Sequence, residues 1–320
     1  MNHGKKPKKK WRTLAVGLAV IIVLFAGFQL FNEDKKSRIS DLHKYDYRDT
    51  RQLVALTARA AAKVEDKGEQ AFEDFRKNFY NWSLDGNSYL YVYDMDGVNL
   101  FHGGYPELKG KNLMELTDLD GKKPVNIIIN QLEHHGNVNP HGWIHYLWVP
   151  PGAIDPVWKS SCNFNATMPD GREVFVGSGI DNPLQEREFY RIIVDEAVEL
   201  LKRDGRAGLE ELKSPESHFS IHDRGVFVTK RDGTAIIDPG MNLDIPRNLF
   251  DYKDPSGRKP LLELSKQLLT SEEGWVIMIH RMKKGSKPIK KGIYGRRVKV
   301  DGEDLIVGAI CPLPHPAWMR

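Results

Sequence analysis

The spacing of hydrophobic and polar residues changes several times along this chain, and each change predicts a different element. Residues 14–31 form an almost unbroken apolar run, in which Gln29 is the only strongly polar residue. Between Leu53 and Val64 the apolar residues recur at helical spacing, which predicts an amphipathic helix. After residue 88 the period shortens to two, which is typical of β-strands.

The period-two region predicts an antiparallel sheet. Residues 89–93 and 98–101 are β-rich runs on either side of the turn signal Met95-Asp96-Gly97, so they predict a hairpin. A helix that feeds such a sheet is an α+β layer. The other elements predicted for this sheet are a short helix over 124–132 and strands over 143–149, 159–166 and 172–179.

The same pattern occurs a second time about 136 residues further along the chain. Asp118 aligns with Asp254 at this offset, and Lys159 aligns with Lys291 after small changes of offset. Residues 184–203 predict the helix that opens the second copy. Agreement over more than a hundred residues is typical of an internal duplication.

The apolar run at the start predicts a membrane helix. At about 1.5 Å per residue, its 18 residues give roughly 27 Å of helix, close to a hydrocarbon core of about 30 Å. A lysine cluster precedes the run, and such clusters stay in the cytoplasm. The alternative is a cleaved signal peptide, but the run is long for one and lacks a small-x-small cleavage pattern at its end. We therefore predict a single-pass inner-membrane protein with a cytoplasmic tail over 1–11, a transmembrane helix over 12–31, a stalk helix over 32–80 and a periplasmic or extracellular remainder.

The net positive charge of the chain comes from its N-terminal residues. The formal net charge is +4, but six positive charges lie within the first twelve residues. The remainder is slightly acidic, so we expect no nucleic-acid partner. Two cysteines, Cys162 and Cys311, are too few for a disulfide framework, and a bridge between them stays open.

In order and spacing, four segments resemble the Cache domain family. They are SYLYVYDMDGVNLFH from residue 88, ELKGKNLMELTDLDGKKPV from 107, HGWIHYLWVPPG from 141 and VFVGSGID from 174. Cache domains are extracytoplasmic, PAS-like sensor modules of bacterial chemoreceptors and histidine kinases. The resemblance implies an α+β fold, in which an N-terminal transmembrane/stalk helix is followed by two PAS-like antiparallel-sheet domains. The first domain is expected over 81–182, and the second, with its linker helix, over 183–320.

The resemblance also implies a pocket for a small organic acid, between the concave face of the sheet and the loops beside it. Strand alternation places two aromatic residues on one face of the strand over 143–149. A neighbouring lysine would add one cation to this apolar wall, which suits a carboxylate. Tyrosines on the first strand add hydroxyl donors, and a histidine occupies the usual position of the family's histidine. We therefore predict a ligand site formed by Tyr91, Tyr93, His102, Tyr146, Trp148 and Lys159.

Packing without a ligand is the alternative for these positions, since an aromatic residue on an antiparallel strand is more often a core residue than a ligand contact. In the second copy, Tyr146 and Trp148 are replaced by Met278 and His280. The two copies therefore differ in the predicted aromatic wall. We predict that the first copy binds the ligand.

Other chemistry has weaker support in the sequence. Four histidines between residues 134 and 145 invite a metal site, but this segment enters a strand and has no carboxylate or cysteine at ligand spacing. The turns at 94–97 and 118–121 resemble the start of a calcium loop and lack its later ligands. We expect no metal and no cofactor. The sequence contains no nucleophile elbow, phosphate-binding loop or Cys-His pair at useful spacing, so we expect no enzyme.

The sequence thus predicts a membrane-anchored binding or sensor protein for a small metabolite. Since the sequence shows no output domain, we expect a separate partner, such as a kinase, a chemoreceptor or a cyclase, to take up the signal. The apolar stripe of the predicted stalk is compatible with a homodimer. The alternative function is an extracytoplasmic structural or protein-interaction module with no small-molecule ligand.

Overall fold

The computed structural model of the chain describes residues 42–84, 86–134, 142–222, 224–238, 246–281 and 286–314. The predicted cytoplasmic tail, the predicted transmembrane helix and residues 32–41 of the predicted stalk lie outside these ranges. Inside them, we find no helix that is both long and apolar enough to cross a membrane.

In the first module, helices cover both faces of an antiparallel sheet. The elements are α1 (Arg48–Lys67), α2 (Gln70–Lys77), β1 (Leu90–Asp94), β2 (Asn99–His102), α3 (Pro124–His134), β3 (Gly142–Trp148), β4 (Val157–Thr167) and β5 (Glu173–Asp181). The five strands lie in the order β2-β1-β5-β4-β3. Strand alternation sends Tyr91 and Phe175 to the face covered by α3, and Val92 and Val176 to the opposite face.

The second module repeats this architecture. The elements are α4 (Arg187–Asp204), α5 (Gly208–Lys213), the small pair β6 (Ser220–Ile221) and β7 (Arg224–Gly225), β8 (Phe227–Lys230), β9 (Ala235–Ile237), α6 (Pro260–Gln267), β10 (Glu273–His280), β11 (Ile289–Val300) and β12 (Glu303–Pro312). Its sheet has the order β9-β8-β12-β11-β10, which is the strand order of the first sheet. The predicted α+β fold with two antiparallel five-stranded sheets is confirmed.

Equivalent hydrogen bonds hold the hairpin turns of the two modules. Asn112 Nδ2 donates to the carbonyl of Asp96 at 2.8 Å, and Asn248 Nδ2 donates to the carbonyl of Asp232 at 2.7 Å. The first of these turns is the hairpin predicted between β1 and β2, which pair in antiparallel register. The shared strand order and turn bonds support the predicted duplication, which itself stays a prediction.

The described part of the predicted stalk is not one continuous helix. Tyr47 has an extended backbone, with φ −103° and ψ 144°, so α1 begins only at Arg48, after a short 3₁₀ turn at Leu42–Lys44. α1 then packs against β4 and β5, and Leu53 and Val64 are fully buried. A wide apolar stripe of this kind is typical of a helix that faces a core.

The largest core cluster joins the two modules through α1, α4 and one face of each sheet. Phe189 of α4 reaches the first module, where its ring centroid lies 4.6 Å from that of Trp143 and 4.6 Å from that of His145. Cys162 and Cys311 are free thiols, buried in this cluster in different sheets. The two cysteines therefore contribute to packing and not to a crosslink.

Candidate ligand site on the first sheet

A narrow aromatic cavity, called the chamber below, lies between the first sheet and α3. Tyr91 and Tyr93 of β1 form part of its wall, and Val125 and Ile128 of α3 cover it. Its volume is about 20 Å³, roughly the room that one water molecule needs. In this conformation the chamber is therefore nearly filled by side chains.

A glycine on the neighbouring strand makes room for the Tyr91 ring. A Cβ at Gly177 would lie 2.2 Å from Tyr91 Cε2 and 2.2 Å from Asn163 Oδ1. The Tyr91 hydroxyl donates to Asn163 Oδ1 at 2.8 Å. Burial raises the pKa values of the hydroxyls of Tyr91 and Tyr146, so both groups stay protonated.

Lys159 of β4 lies at the edge of the chamber, beside Tyr89. Its side chain is 1% exposed, and its Nζ lies 3.1 Å from Asp181 Oδ1 and 3.3 Å from the Tyr89 hydroxyl. The same Nζ lies 4.4 Å from the centre of the Tyr89 ring. Burial lowers the pKa of the Lys159 ammonium, while the charge of Asp181 opposes this shift.

The Lys159 ammonium keeps one hydrogen-bond donor for a further acceptor. An ammonium has three N–H groups, and the structure places two acceptors among the described residues, on Asp181 and Tyr89. Gly179 leaves space for the lysine stem, since a Cβ there would lie 2.6 Å from Lys159 Cε. The third N–H can therefore bind a ligand oxygen.

His102 of β2 is neutral and held in one orientation. Its Nδ1 accepts a hydrogen bond from the backbone N–H of Tyr105 at 3.0 Å, so the proton of the neutral ring lies on Nε2. Its ring centroid is 5.0 Å from that of Tyr89 and 5.8 Å from that of Tyr91. Burial, followed by the charge of Lys159, lowers the pKa of His102 to about 3. The imidazole therefore offers a neutral N–H and no second positive charge.

Trp148 lines the chamber, and Tyr105 packs against Trp148. Their ring centroids are 5.9 Å apart and nearly perpendicular, and the Tyr105 hydroxyl donates to the carbonyl of Val149. Trp148 Nε1 is buried and makes no hydrogen bond to a described residue. Burial raises the pKa of Tyr89, and the nearby indole N–H of Trp148 opposes this increase.

Two open depressions flank the chamber. The first, called the outer groove, has a volume of about 500 Å³ and lies against Tyr105 and Trp148. The second is a more polar cleft of about 670 Å³, lined among others by Asp49, Ser88 and Asp181. The apolar side chains of the outer groove are Leu108, Leu113, Leu116, Leu119, Leu147, Val149, Ala153 and Pro156.

The structure brings the six predicted site residues close together. Five of them line the chamber, and Lys159 lies at its edge. The sequence reasoning missed Tyr89, although Tyr89 follows the same alternation as Tyr91 and Tyr93. It also missed Asp181, which only the strand register places opposite Lys159. That these residues contact a ligand stays a prediction.

The equivalent face of the second module has a cluster of buried apolar residues beside the buried Lys291 and His280. Met278 belongs to a core cluster that also contains residues of α6. Ile310 stands where the first module has Gly179, and it is buried in the same cluster. In the strand register Lys291 lies opposite Pro312, where the first module has Asp181 opposite Lys159. This asymmetry supports the prediction that the first module binds the ligand.

The histidines and turn aspartates considered as metal ligands have other roles where they are described. His135 and His141 lie outside the described residues, while His145 is buried with its Nδ1 2.7 Å from Ser160 Oγ. Asp118 Oδ1 accepts the backbone N–H of Lys122 at 2.8 Å, as expected of a turn. Within the part of the chain that the structure covers, no cluster of three or more metal-binding side chains occurs.

The first module is an α+β domain with a five-stranded antiparallel sheet and a chamber on one face of that sheet. Residues 61–180 match the family model of the Cache domain, so the predicted resemblance to the Cache family is confirmed for these residues. The methyl-accepting chemotaxis protein McpP of Pseudomonas putida is 25% identical over 199 residues, which are 59% of this chain and 34% of that protein. The match therefore spans about a third of the length of this relative.

Two solved structures are similar at low identity. The periplasmic sensor domain of a chemotaxis protein is 21% identical, with 49% of this chain and 98% of that chain covered and a TM-score of 0.32. A Cache chemosensory domain, whose structure describes carboxylic acid recognition, is 20% identical, with 56% and 100% covered and a TM-score of 0.30.

Proposed function

We propose that this chain is an extracytoplasmic sensor whose first module binds a small carboxylate at the Lys159 ammonium. One observation supports this above all: the buried ammonium has an N–H that no described acceptor takes up. A buried donor without an acceptor is unfavourable, and a carboxylate would form a charge-assisted hydrogen bond with it. The aromatic chamber beside it would enclose the rest of a small ligand.

The charges around Lys159 suit a ligand with one negative charge. Asp181 already balances the ammonium at 3.1 Å, and His102 is neutral. A dianion would place a second negative charge beside Asp181 without a further cation in the chamber wall. The neutral imidazole N–H of His102 and the hydroxyl of Tyr89, which accepts from Lys159 and keeps its own proton, can add hydrogen bonds to a monocarboxylate.

Binding requires the chamber to open. A volume of about 20 Å³ holds no organic acid, so the rings of Tyr105 and Trp148 would have to move outward. The same small volume favours a second candidate function, in which the chamber is only core and the module binds another protein. A ligand titration separates the two functions.

We further propose, from the sequence, that residues 12–31 anchor the chain in the inner membrane. The basic cluster before this apolar run supports a cytoplasmic N-terminus and an extracytoplasmic location for the two modules. Cache domains act as sensors in chemoreceptors, and the similarity to a methyl-accepting chemotaxis protein supports a signalling partner. The partner would be a kinase, a chemoreceptor or a cyclase.

A titration of the full chain with acetate, propanoate and butanoate tests the proposed ligand class. Isothermal titration calorimetry should show saturable binding of at least one of these acids. Lys159→Met should weaken it about tenfold or more, because a hydrogen bond to a charged group contributes about 1.5–3 kcal/mol. Lys291→Met, at the equivalent position of the second module, is the matched control and should leave the affinity unchanged.

Two outcomes would contradict this proposal. If none of the acids binds, the protein-interaction function becomes the better explanation of the narrow chamber. If Lys291→Met abolishes binding while Lys159→Met retains it, the ligand site lies in the second module.

A further inference from the structure

The outer groove is adjacent to the chamber. Leu116 and Trp148 line both, so only side chains separate the two spaces. Tyr105 also lines the groove, and its ring centroid lies 5.5 Å from that of His102 and 6.3 Å from that of Tyr89. One tyrosine ring thus stands between the groove and the polar end of the chamber.

The groove exposes large apolar side chains to solvent. Leu119 is 75% exposed, and Leu116 and Val149 are 37% and 38% exposed. Exposed apolar residues that cluster in one concavity mark a binding surface more often than isolated ones do. The volume of about 500 Å³ lies in the range of pockets for small molecules.

Two polar side chains along the groove, Asp118 and Tyr105, are already engaged within the fold. Asp118 accepts the backbone N–H groups of Leu147 at 3.0 Å and Lys122 at 2.8 Å. The Tyr105 hydroxyl donates to the carbonyl of Val149. An incoming molecule therefore meets mainly apolar surface in the groove, and it meets polar partners only past Tyr105.

We infer that the ligand is an amphipathic monocarboxylate. Its carboxylate binds at Lys159, and its apolar tail of several carbons displaces the Tyr105 ring and lies in the outer groove. This inference rests on the proposed function and adds the class of acid. A single molecule can occupy both places because the chamber and the groove share Leu116 and Trp148.

A chain-length series tests the inference. The full chain, purified in a mild detergent, is titrated with propanoate, butanoate, hexanoate and octanoate against a detergent blank. Each methylene buried in the groove should raise the affinity about three- to fourfold, so octanoate should bind roughly a hundredfold more tightly than butanoate.

A polar substitution in the groove should change the dependence on chain length. Leu119 is exposed, so Leu119→Gln should leave the fold intact. We expect it to lower the affinity for octanoate about fivefold or more and to leave that for propanoate unchanged. Leu269→Gln is the matched control, because Leu269 is a 56% exposed leucine that lines a depression of the second module.

The outcomes distinguish this inference from the proposed function. If propanoate binds and longer acids gain nothing, the groove holds no tail and the inference is overturned while the proposed function stands. If no acid of any length binds, the proposed function fails and the inference fails with it. If Leu119→Gln turns a dimer into a monomer in size-exclusion chromatography without changing the series, the groove is a contact between copies of the chain, which also overturns the inference.

Discussion

At the scale of single residues, the chemistry of Lys159 depends on what faces it across the strands. Gly179 leaves space for the lysine stem, and Asp181 supplies the counter-charge that burial of an ammonium requires. The second module has Ile310 and Pro312 at these two positions. The residues opposite the two equivalent buried lysines, Lys159 and Lys291, therefore differ between the modules.

The acid sensitivity of His102 gives a prediction at this scale. The pKa of His102 is about 3 in the folded protein, and about 6.5 is usual in an unfolded chain. Between these values the unfolded state binds a proton that the folded state does not, so the wild type loses stability as the pH falls below about 6.5. His102→Asn removes this loss. The unfolding free energy of the wild type minus that of the variant should fall by up to about 1.4 kcal/mol for each unit by which the pH is lowered from 6 to 4.

Urea unfolding of both proteins at several pH values measures this difference. Comparison with the variant matters because Glu186 has the opposite effect. Burial raises the pKa of Glu186 to about 7, so the folded state gains a proton first and is favoured as the pH falls from about 7. Glu186 is present in both proteins and cancels in the difference. Parallel stability curves for the two proteins would mean that the pKa of His102 is the same in the folded and unfolded states.

Local patterns predicted the aromatic residues of the site better than its charges. The alternation along β1 was enough to place Tyr91 and Tyr93 on one buried face. The pairing of Lys159 with Asp181 depends on the register of β4 and β5. The packing of Tyr105 against Trp148 depends on the conformation of a loop, which local periodicity does not encode.

At the scale of elements, α1 shows the limit of periodicity. The stripe through Leu53 and Val64 correctly indicated a helix, but a stripe is equally compatible with a helix-mediated dimer and with packing on a sheet. The structure shows packing on β4 and β5. The turn signals were more informative, because Gly97 at φ 83° and Gly233 at φ 90° adopt a backbone that favours glycine wherever the hairpin forms.

The packing of α1 predicts a large cost for truncating its buried face. Leu53 is fully buried, so Leu53→Ala should lower the free energy of unfolding by about 2–5 kcal/mol. Gln52→Ala, one residue earlier on the exposed face, should change it by less than about 0.5 kcal/mol. Chemical denaturation of the full chain measures both. Equal, small effects would mean that α1 does not pack on the sheet in solution.

At the scale of the whole molecule, polar contacts tie the helix over the chamber to the second module. Lys122 Nζ, just before α3, donates to the carbonyls of His145 at 2.8 Å and Ser220 at 2.9 Å. Near the other end of α3, Gln131 Nε2 lies 3.2 Å from Glu196 Oε2 on α4. Burial lowers the pKa of Lys122 to about 8. The helix that covers the chamber is thus bound at both ends to elements of the second module.

Because one core cluster spans both modules, we expect the two sheets to unfold as one unit. Hydrogen exchange followed by mass spectrometry should give the same opening free energy for β1–β5 as for β8–β12.

Phe189→Ala removes the ring that packs on Trp143 and His145, at a cost of about 3–5 kcal/mol. In this variant the opening free energies of the two sheets should no longer be equal, because that ring joins α4 to the first sheet. Leu200→Ala, a buried position on the same helix, should lower both free energies together. Different opening free energies in the wild type, or an equal decrease in Phe189→Ala, would contradict this account of the junction.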